Sequence, residues 1–230
     1  MLDIEMKPVE FGDCFILSEN LKHLIVDCGS TDESAVVNSG IYDKIECLRN
    51  NGSKLELLIS HFDSDHYNGI LKINKETFEK IYFPYCLMNR YNEFCSTIGY
   101  LILLNNSNIP PESIRKELSD KLVELLTKLP QILKSNGKLV SLCSGRNFPL
   151  GTQQFNVIWP PNGQSPFQKP LKRVLEGLND KVKEKIQPLV KSLRVFFNKL
   201  NEKELEIDEI ETLTGDIKKE YERLRNQHNN

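Results

Sequence analysis

The stretch LELLISHFDSDHYNGI, from Leu55 to Ile70, joins an apolar run to a dense cluster of metal-ligand residue types. The run Leu57 to Ile59 is of the kind that forms a short buried strand. A divalent cation would relieve the crowding that follows, because it attracts carboxylates and accepts lone pairs from neutral imidazoles. Two imidazoles and two carboxylates fall within six residues: His61, Asp63, Asp65 and His66.

The spacing of these four residues divides them into two pairs. Beyond the end of a strand, His61 and Asp63 can point the same way while Phe62 turns toward the core. Asp65 and His66 are adjacent in a turn, so their side chains diverge and could serve a second ion. We therefore predict a metal site at the end of this strand. A polar loop with solvated acids and two incidental histidines is the alternative.

The segment SHFDSDHYNG, Ser60 to Gly69, resembles the signature of the metallo-β-lactamase-fold hydrolases. The commoner signature has His where this chain has Asp63. An Asp at this motif position resembles the branch that includes the nuclease-like domain of bacterial competence (DNA-uptake) proteins. Two upstream motifs, Gly12 to Cys14 and Val26 to Gly29, resemble the opening of the same superfamily in the expected order. In the competence-type branch an L-G turn, here Leu150-Gly151, precedes a strand that ends in proline.

This resemblance implies roles for five residues. His61 and Asp63 would hold one divalent ion, and Asp65 and His66 would hold another. Zn²⁺ is the favoured metal, with Mn²⁺ and Mg²⁺ as alternatives. Asp65 would also orient the attacking water. Asp27 would support the site from behind the ligands, or it is a strand-end Asp that makes a turn.

The order of strands and helices predicts an α/β (α+β) fold. A strand at His23 to Asp27, a helix at Ser34 to Asn50 and the motif strand make a crossover, so part of the sheet should be parallel. Ligand sites in such sheets lie beyond the carboxyl ends of strands. The resemblance narrows the fold to a metallo-β-lactamase-like αββα sandwich, N-terminal half only. We expect that domain over residues 1–163, with a helical insert at 87–135, followed by a helical hairpin insertion at 164–230.

Other elements follow from periodicity and from breaker residues. Gly29, at the end of its strand, is free to adopt a positive φ. The expected further helices are Asn89–Leu104, Pro110–Leu129 with an end or kink at Pro130, and two helices joined around Asn201 with a kink at Pro188. The expected further strands are Leu2–Val9, Lys80–Phe83, Lys138–Cys143 and Phe155–Trp159.

Two residues that complete a two-ion site in that superfamily, a bridging Asp and a late His, have no clear counterpart. The histidines are His23, His61, His66 and His228, and His23 is expected to be exposed at a strand start. The late Gly215-Asp216 lies in a helical pattern. We therefore expect the amino-terminal half of a longer hydrolase. One apolar sheet face would then be exposed and open to self-association or to a protein partner.

Composition restricts the class of protein. The formal charge of −2 over 230 residues gives no bulk attraction to nucleic acid, although a local basic groove stays open. We find no signal-peptide pattern and no apolar stretch of membrane-spanning length. The six cysteines form no C-x-x-C pair, which favours reduced thiols and a cytoplasmic protein.

Two functions remain open. The first is a metal-dependent hydrolase, phosphodiesterase or nuclease-like, that activates water on one or two ions and acts on nucleic acid or another phosphodiester. The second is a catalytically incomplete domain that binds a protein partner through its helical hairpin.

Overall fold

A computed structural model describes residues 1–84, 115–158 and 180–226, which form a mixed α/β fold. The helices are α1 (Glu33–Asn38), α2 (Ile41–Asn50), α3 (Ser64–Tyr67), α4 (Arg115–Ile132), α5 (Asp180–Glu202) and α6 (Ile207–Asn226), with a 3₁₀ helix at Asn68–Lys72. The strands are β1 (Asp3–Met6), β2 (Phe15–Glu19), β3 (Lys22–Val26), β4 (Lys54–Leu58), β5 (Phe78–Pro84), β6 (Leu133–Leu142), β7 (Asn147–Leu150), β8 (Gln153–Asn156) and β9 (Leu205–Glu206).

One seven-stranded sheet runs in the order β1-β2-β3-β4-β5-β6-β9. Its central strands β3 to β6 are parallel, whereas β1, β2 and β9 are antiparallel to their neighbours. The carboxyl ends of the parallel strands therefore meet at one edge of the sheet, where ligand sites gather in such folds. The predicted α/β class and the predicted parallel part of the sheet are both confirmed.

Helices cover one face of this sheet and share an apolar core with it. Ile25, Leu57 and Ile81 lie on that face, one from each of three adjacent strands, and all are buried. Helix α5 packs on α6, and α6 contacts α4 and β6. Phe196 and Leu213 of these two helices belong to the same buried cluster as the strands. Among the described helices, none combines the length and apolar character needed to cross a membrane.

The opposite face carries a second apolar cluster, which the β7–β8 hairpin covers. Leu24, Tyr82 and Leu142 of the sheet are buried there with Phe148 of the hairpin. Toward β1 the cover ends: Ile4 is 61% exposed and Met6 64% exposed. The sequence predicted one apolar sheet face open to solvent, whereas the hairpin buries most of the described apolar residues on this face and exposure is limited to the β1 end.

A buried carboxylate ties the hairpin to the sheet. Glu19, at the end of β2, accepts hydrogen bonds from the Thr152 hydroxyl at 2.6 Å, from the Thr152 backbone N–H and from the Gln153 amide at 3.3 Å. Gly151 adopts φ 62°, and a Cβ there would collide with the Glu19 carboxylate. The bonds from the Thr152 hydroxyl and then its N–H lower the pKa of Glu19 to about 2. The carboxylate thus stays ionised over the whole physiological pH range.

Several predicted boundaries are wrong. The helix expected over Ser34–Asn50 breaks into α1 and α2 at Ser39-Gly40, because Gly40 adopts φ 70°. Strand β6 begins at Leu133, earlier than predicted. The strand expected at Phe155–Trp159 is β8, which ends at Asn156.

Both prolines expected to kink or end helices lie inside them, Pro130 in α4 and Pro188 in α5. In the tail, where no strand was expected, the two residues of β9 pair with β6. The helix predicted at Asn89–Leu104 lies outside the described residues.

His23 is only 7% exposed, so the expectation that it is exposed is wrong. It lies in β3, which pairs with β2 and β4, and its Nδ1 is 2.8 Å from the Ser18 hydroxyl. Burial, and then the positive charge of Lys44, lower the pKa of His23. The folded chain therefore holds this imidazole neutral.

A pH-dependent stability follows from His23. Below its unfolded pKa of about 6.5, the unfolded chain takes up a proton that the folded chain resists. The free energy of unfolding contributed by His23 is thus complete above that pH and declines as the pH falls below it. Urea denaturation at pH 7.5, 6.5 and 5.5 should show a smaller decline for His23→Gln, which keeps a polar partner for Ser18. Equal declines in both proteins would contradict this assignment.

Candidate metal centre

The site lies where β3 and β4 end side by side. The Asp27 N–H donates to the Leu58 carbonyl at 2.8 Å, which joins the residue after β3 to the last residue of β4. Asp27 adopts a left-handed φ of 56°, which turns the chain at this point. Ser60 and His61 follow β4, and α3 brings His66 back toward Asp27. Phe62 packs on the core against Phe83, with ring centroids 5.4 Å apart, so its predicted inward orientation is confirmed.

Glycines allow three backbone segments to stack beneath these side chains. A Cβ at Gly29 would lie 2.5 Å from the Asp65 carbonyl oxygen, and a Cβ at Gly12 would collide with the Gly29 carbonyl. The Cys28 N–H donates to the His66 carbonyl at 2.8 Å across the same contact. Gly29 is thus required by close approach rather than by a positive φ, which belongs to Asp27 instead.

The Asp27 carboxylate is buried, with the residue 3% exposed, and accepts three hydrogen bonds. The Ser60 N–H donates to Oδ1 at 2.7 Å, and the Ser60 hydroxyl donates to Oδ2 at 2.6 Å. His66 Nδ1 lies 2.9 Å from Oδ2. Because a carboxylate can only accept, the Nδ1 of His66 must carry the proton.

The same argument shows which ring nitrogen of His61 carries the proton. Its Nδ1 lies 2.8 Å from the Ser60 hydroxyl oxygen, whose single hydrogen already points to Asp27. His61 must then donate its Nδ1–H to Ser60. Both imidazoles, when neutral, keep an unprotonated Nε2, and this is the arrangement in which metal-binding histidines are held by a partner on the other ring nitrogen.

Asp27, His61 and His66 form a group that could hold a metal ion, with one ligand atom from each residue within 4.8 Å of the others. The two imidazole rings are adjacent, with centroids 3.6 Å apart. The donor set of imidazole nitrogen and carboxylate oxygen suits a divalent transition metal or zinc.

The other two predicted ligands flank the imidazoles. Asp63 Oδ2 lies 3.5 Å from His61 Nε2, and Asp65 Oδ2 lies 3.9 Å from His66 Nε2. Each predicted pair therefore brings a carboxylate oxygen near the available ring nitrogen of its own histidine. The Asp63 side chain is largely exposed, whereas that of Asp65 is half-buried.

Two residues at this site were not assigned from the sequence. Asp13, in the Gly12 to Cys14 motif, places Oδ2 at 3.6 Å from His66 Nδ1. Ser60 directly precedes the first histidine and bridges Asp27 to His61. Their positions in the quoted motifs were the available signal, but neither residue type is diagnostic by itself.

Burial and neighbouring charges shift the pKa of His66 in opposite directions. Burial lowers the pKa of this imidazole, but the hydrogen bond and charge of Asp27, then the charges of Asp65 and Asp13, raise it, and the net effect is a raised pKa. The surrounding carboxylates thus stabilise a positive charge at this position, whether a proton or a metal ion supplies it.

Comparison of the chain with models of protein families, with curated proteins and with solved structures finds no match in any of the three. The family resemblance therefore depends on the sequence motifs alone.

Asp27→Asn should weaken metal binding without a backbone penalty, because Asn tolerates a left-handed φ. Its amide offers one acceptor oxygen where the carboxylate accepts three bonds. We expect zinc affinity to fall by roughly 10–100-fold, the usual cost of losing such a supporting partner. Titration calorimetry against a competing chelator measures it, and an unchanged affinity would contradict the role given to Asp27.

Gly29→Ala should destabilise the fold and the site together, because the new methyl group meets backbone atoms of Asp65 and Tyr67. We expect a loss of about 1–3 kcal/mol in the free energy of unfolding. Gly215→Ala is the matched control, since a Cβ there meets nothing within 4 Å inside α6. It should stabilise by roughly 0.5–1 kcal/mol. Urea denaturation that ranks the two variants the other way would contradict the close-packing argument.

Proposed function

We propose that this chain is a metal-dependent hydrolase of the metallo-β-lactamase type that cleaves phosphodiesters. The observation that carries the proposal is the hydrogen-bond network of Asp27 and Ser60, which engages Nδ1 of His61 and of His66 and leaves each Nε2 without a proton. Each Nε2 lies within 4 Å of a carboxylate oxygen, from Asp63 for His61 and from Asp65 for His66.

His61, His66, Asp63 and Asp65 would hold the metal, with Zn²⁺ favoured because two imidazoles and carboxylates match its preferred donors. Mn²⁺ and Mg²⁺ are the alternatives, since they favour carboxylate oxygens. A bound divalent ion would supply water activation near neutral pH and stabilisation of charge on the phosphoryl oxygens.

The protein's own groups would orient the reactants. The half-buried Asp65 carboxylate lies 3.9 Å from His66 Nε2, a position from which it can accept a proton from the attacking water. Asp27 and Ser60 would keep both imidazoles in one tautomer and orientation through the reaction. Asp13, 3.6 Å from His66 Nδ1, adds negative charge behind the ring.

The architecture is compatible with half of an αββα sandwich. Helices cover one sheet face, and the other face carries a second apolar cluster under the β7–β8 hairpin, with Ile4 and Met6 exposed beyond it on β1. The buried free thiols of Cys14 and Cys28 fit a reducing, cytoplasmic location.

The alternative function is a catalytically incomplete domain that binds a protein partner. Two observations favour it. The described residues after α3 add no donor to the metal-binding group, and Ile4 and Met6 expose apolar surface at the β1 end of the sheet. Any metal would then stabilise the loop without turnover.

Hydrolysis of bis(p-nitrophenyl) phosphate with added Zn²⁺ or Mn²⁺ tests the proposal. His61→Ala should lose both metal and turnover. Asp65→Asn at saturating metal should lower kcat by roughly 10²–10⁴-fold, the usual contribution of a general base. His23→Gln is the matched control, because His23 lies outside the site and should leave turnover unchanged.

The outcomes separate the two functions. If the unaltered chain binds metal and turns over, and His61→Ala loses that activity, the catalytically incomplete domain is excluded. If the unaltered chain binds no metal and shows no turnover, the hydrolase function is excluded for this polypeptide.

A further inference from the structure

An apolar cleft of about 260 Å³ opens beside the metal centre, at the carboxyl ends of β4, β5 and β6. Ser60 lines the cleft and also bonds to Asp27 and His61, so cleft and metal centre share a residue. A group bound in the cleft would therefore lie next to a group bound at the imidazoles. The apolar walls come from strand ends and from the hairpin: Leu58, Phe83, Leu142, Phe148 and Val157.

The lining is poor in hydrogen-bonding side chains. Among the described residues that line it, Ser60 has the one polar side chain, and its single hydroxyl hydrogen is already donated to Asp27. A nucleobase buried here would leave its polar edge without partners, which costs about 1–3 kcal/mol for each unpaired group. A hydrocarbon group loses nothing by the same burial.

We propose that this cleft binds an aryl or short branched alkyl group of a phosphoester whose phosphoryl group lies at the metal centre. The inference rests on the proposed function and narrows its substrate class: aryl or alkyl phosphoesters are preferred, and nucleotides are poor ligands.

The volume of the cleft indicates that it binds one ring rather than a larger group. An apolar cavity of about 150 Å³ accommodates benzene, and drug-sized ligands occupy roughly 300–1,000 Å³. The cleft, at about 260 Å³, lies between these limits and suits one substituted ring. Phe148 adds a rigid aromatic wall, because it stacks on Phe155 at 5.3 Å between centroids.

Binding of three probes to the zinc-loaded full chain tests the inference. Phenylphosphonate and methylphosphonate share a metal-binding head and differ in the ring, and uridine monophosphate replaces the ring with a nucleoside. We expect phenylphosphonate to bind at least about ten-fold more tightly than methylphosphonate, because the ring surface is buried. Uridine monophosphate should bind no more tightly than methylphosphonate.

A double variant, Val157→Ser with Ile158→Ser, removes apolar lining, and Ile158 is largely exposed, so folding should tolerate its change. The ratio of the affinity for phenylphosphonate to that for methylphosphonate should fall toward one, while the affinities for zinc and methylphosphonate stay unchanged. Ile4→Ser is the control, because Ile4 is exposed on β1 and does not line the cleft.

The failures are distinguishable. If zinc binds through His61 and His66 but the phosphonates bind equally, or the nucleotide binds best, the cleft assignment is wrong and the metal centre stands. If the chain binds no zinc, the proposed function and the cleft assignment fail together.

Discussion

The buried carboxylate of Asp27 is the constraint on which the site depends. An ionised carboxylate removed from water is costly unless it is fully paired. Here the pairing comes from the Ser60 N–H, the Ser60 hydroxyl and the His66 imidazole. These bonds fix where the loop after β4 begins and where α3 must return. The charge of one side chain thus determines the positions of residues more than thirty places away in sequence.

The backbone is arranged to make this pairing possible. Parallel β3 and β4 end at the same edge of the sheet, and the left-handed turn at Asp27 directs its side chain toward the loop after β4. Gly29 then lets the β3 turn approach the backbone of Asp65 and Tyr67 closely. The consequence for chemistry is indirect but specific: two imidazoles are held by Nδ1, and their Nε2 atoms are left for a cation.

Local sequence predicted the features that depend on local pattern. The apolar run before His61 predicted a strand, and β4 with the following loop confirms the placement of the motif at a strand end. His61 and Asp63 lie near each other as the spacing indicated, whereas Asp65 and His66, expected to diverge, bring Oδ2 and Nε2 to 3.9 Å. The α/β class followed from the strand–helix–strand order.

Features that depend on tertiary packing could not be predicted in the same way. Proline inside a helix costs about 3 kcal/mol, and α5 runs through the predicted kink site at Pro188 while the residues after it, such as Leu189 and Phe196, are buried in the core. His23 is buried because both neighbouring strands pair with β3, which its own sequence does not reveal. The role of Ser60 depends on two hydrogen bonds of its hydroxyl, one donated to Asp27 from the other strand end and one accepted from His61.

The tautomers of His61 and His66 test the central claim most directly. Long-range ¹H–¹⁵N correlation spectra of the full chain at alkaline pH distinguish Nδ1 from Nε2 protonation. We expect Nδ1–H for both rings without metal, and a zinc-induced shift confined to Nε2. Nε2–H tautomers, or a metal-induced shift at Nδ1, would show that Asp27 and Ser60 do not hold the rings for a cation.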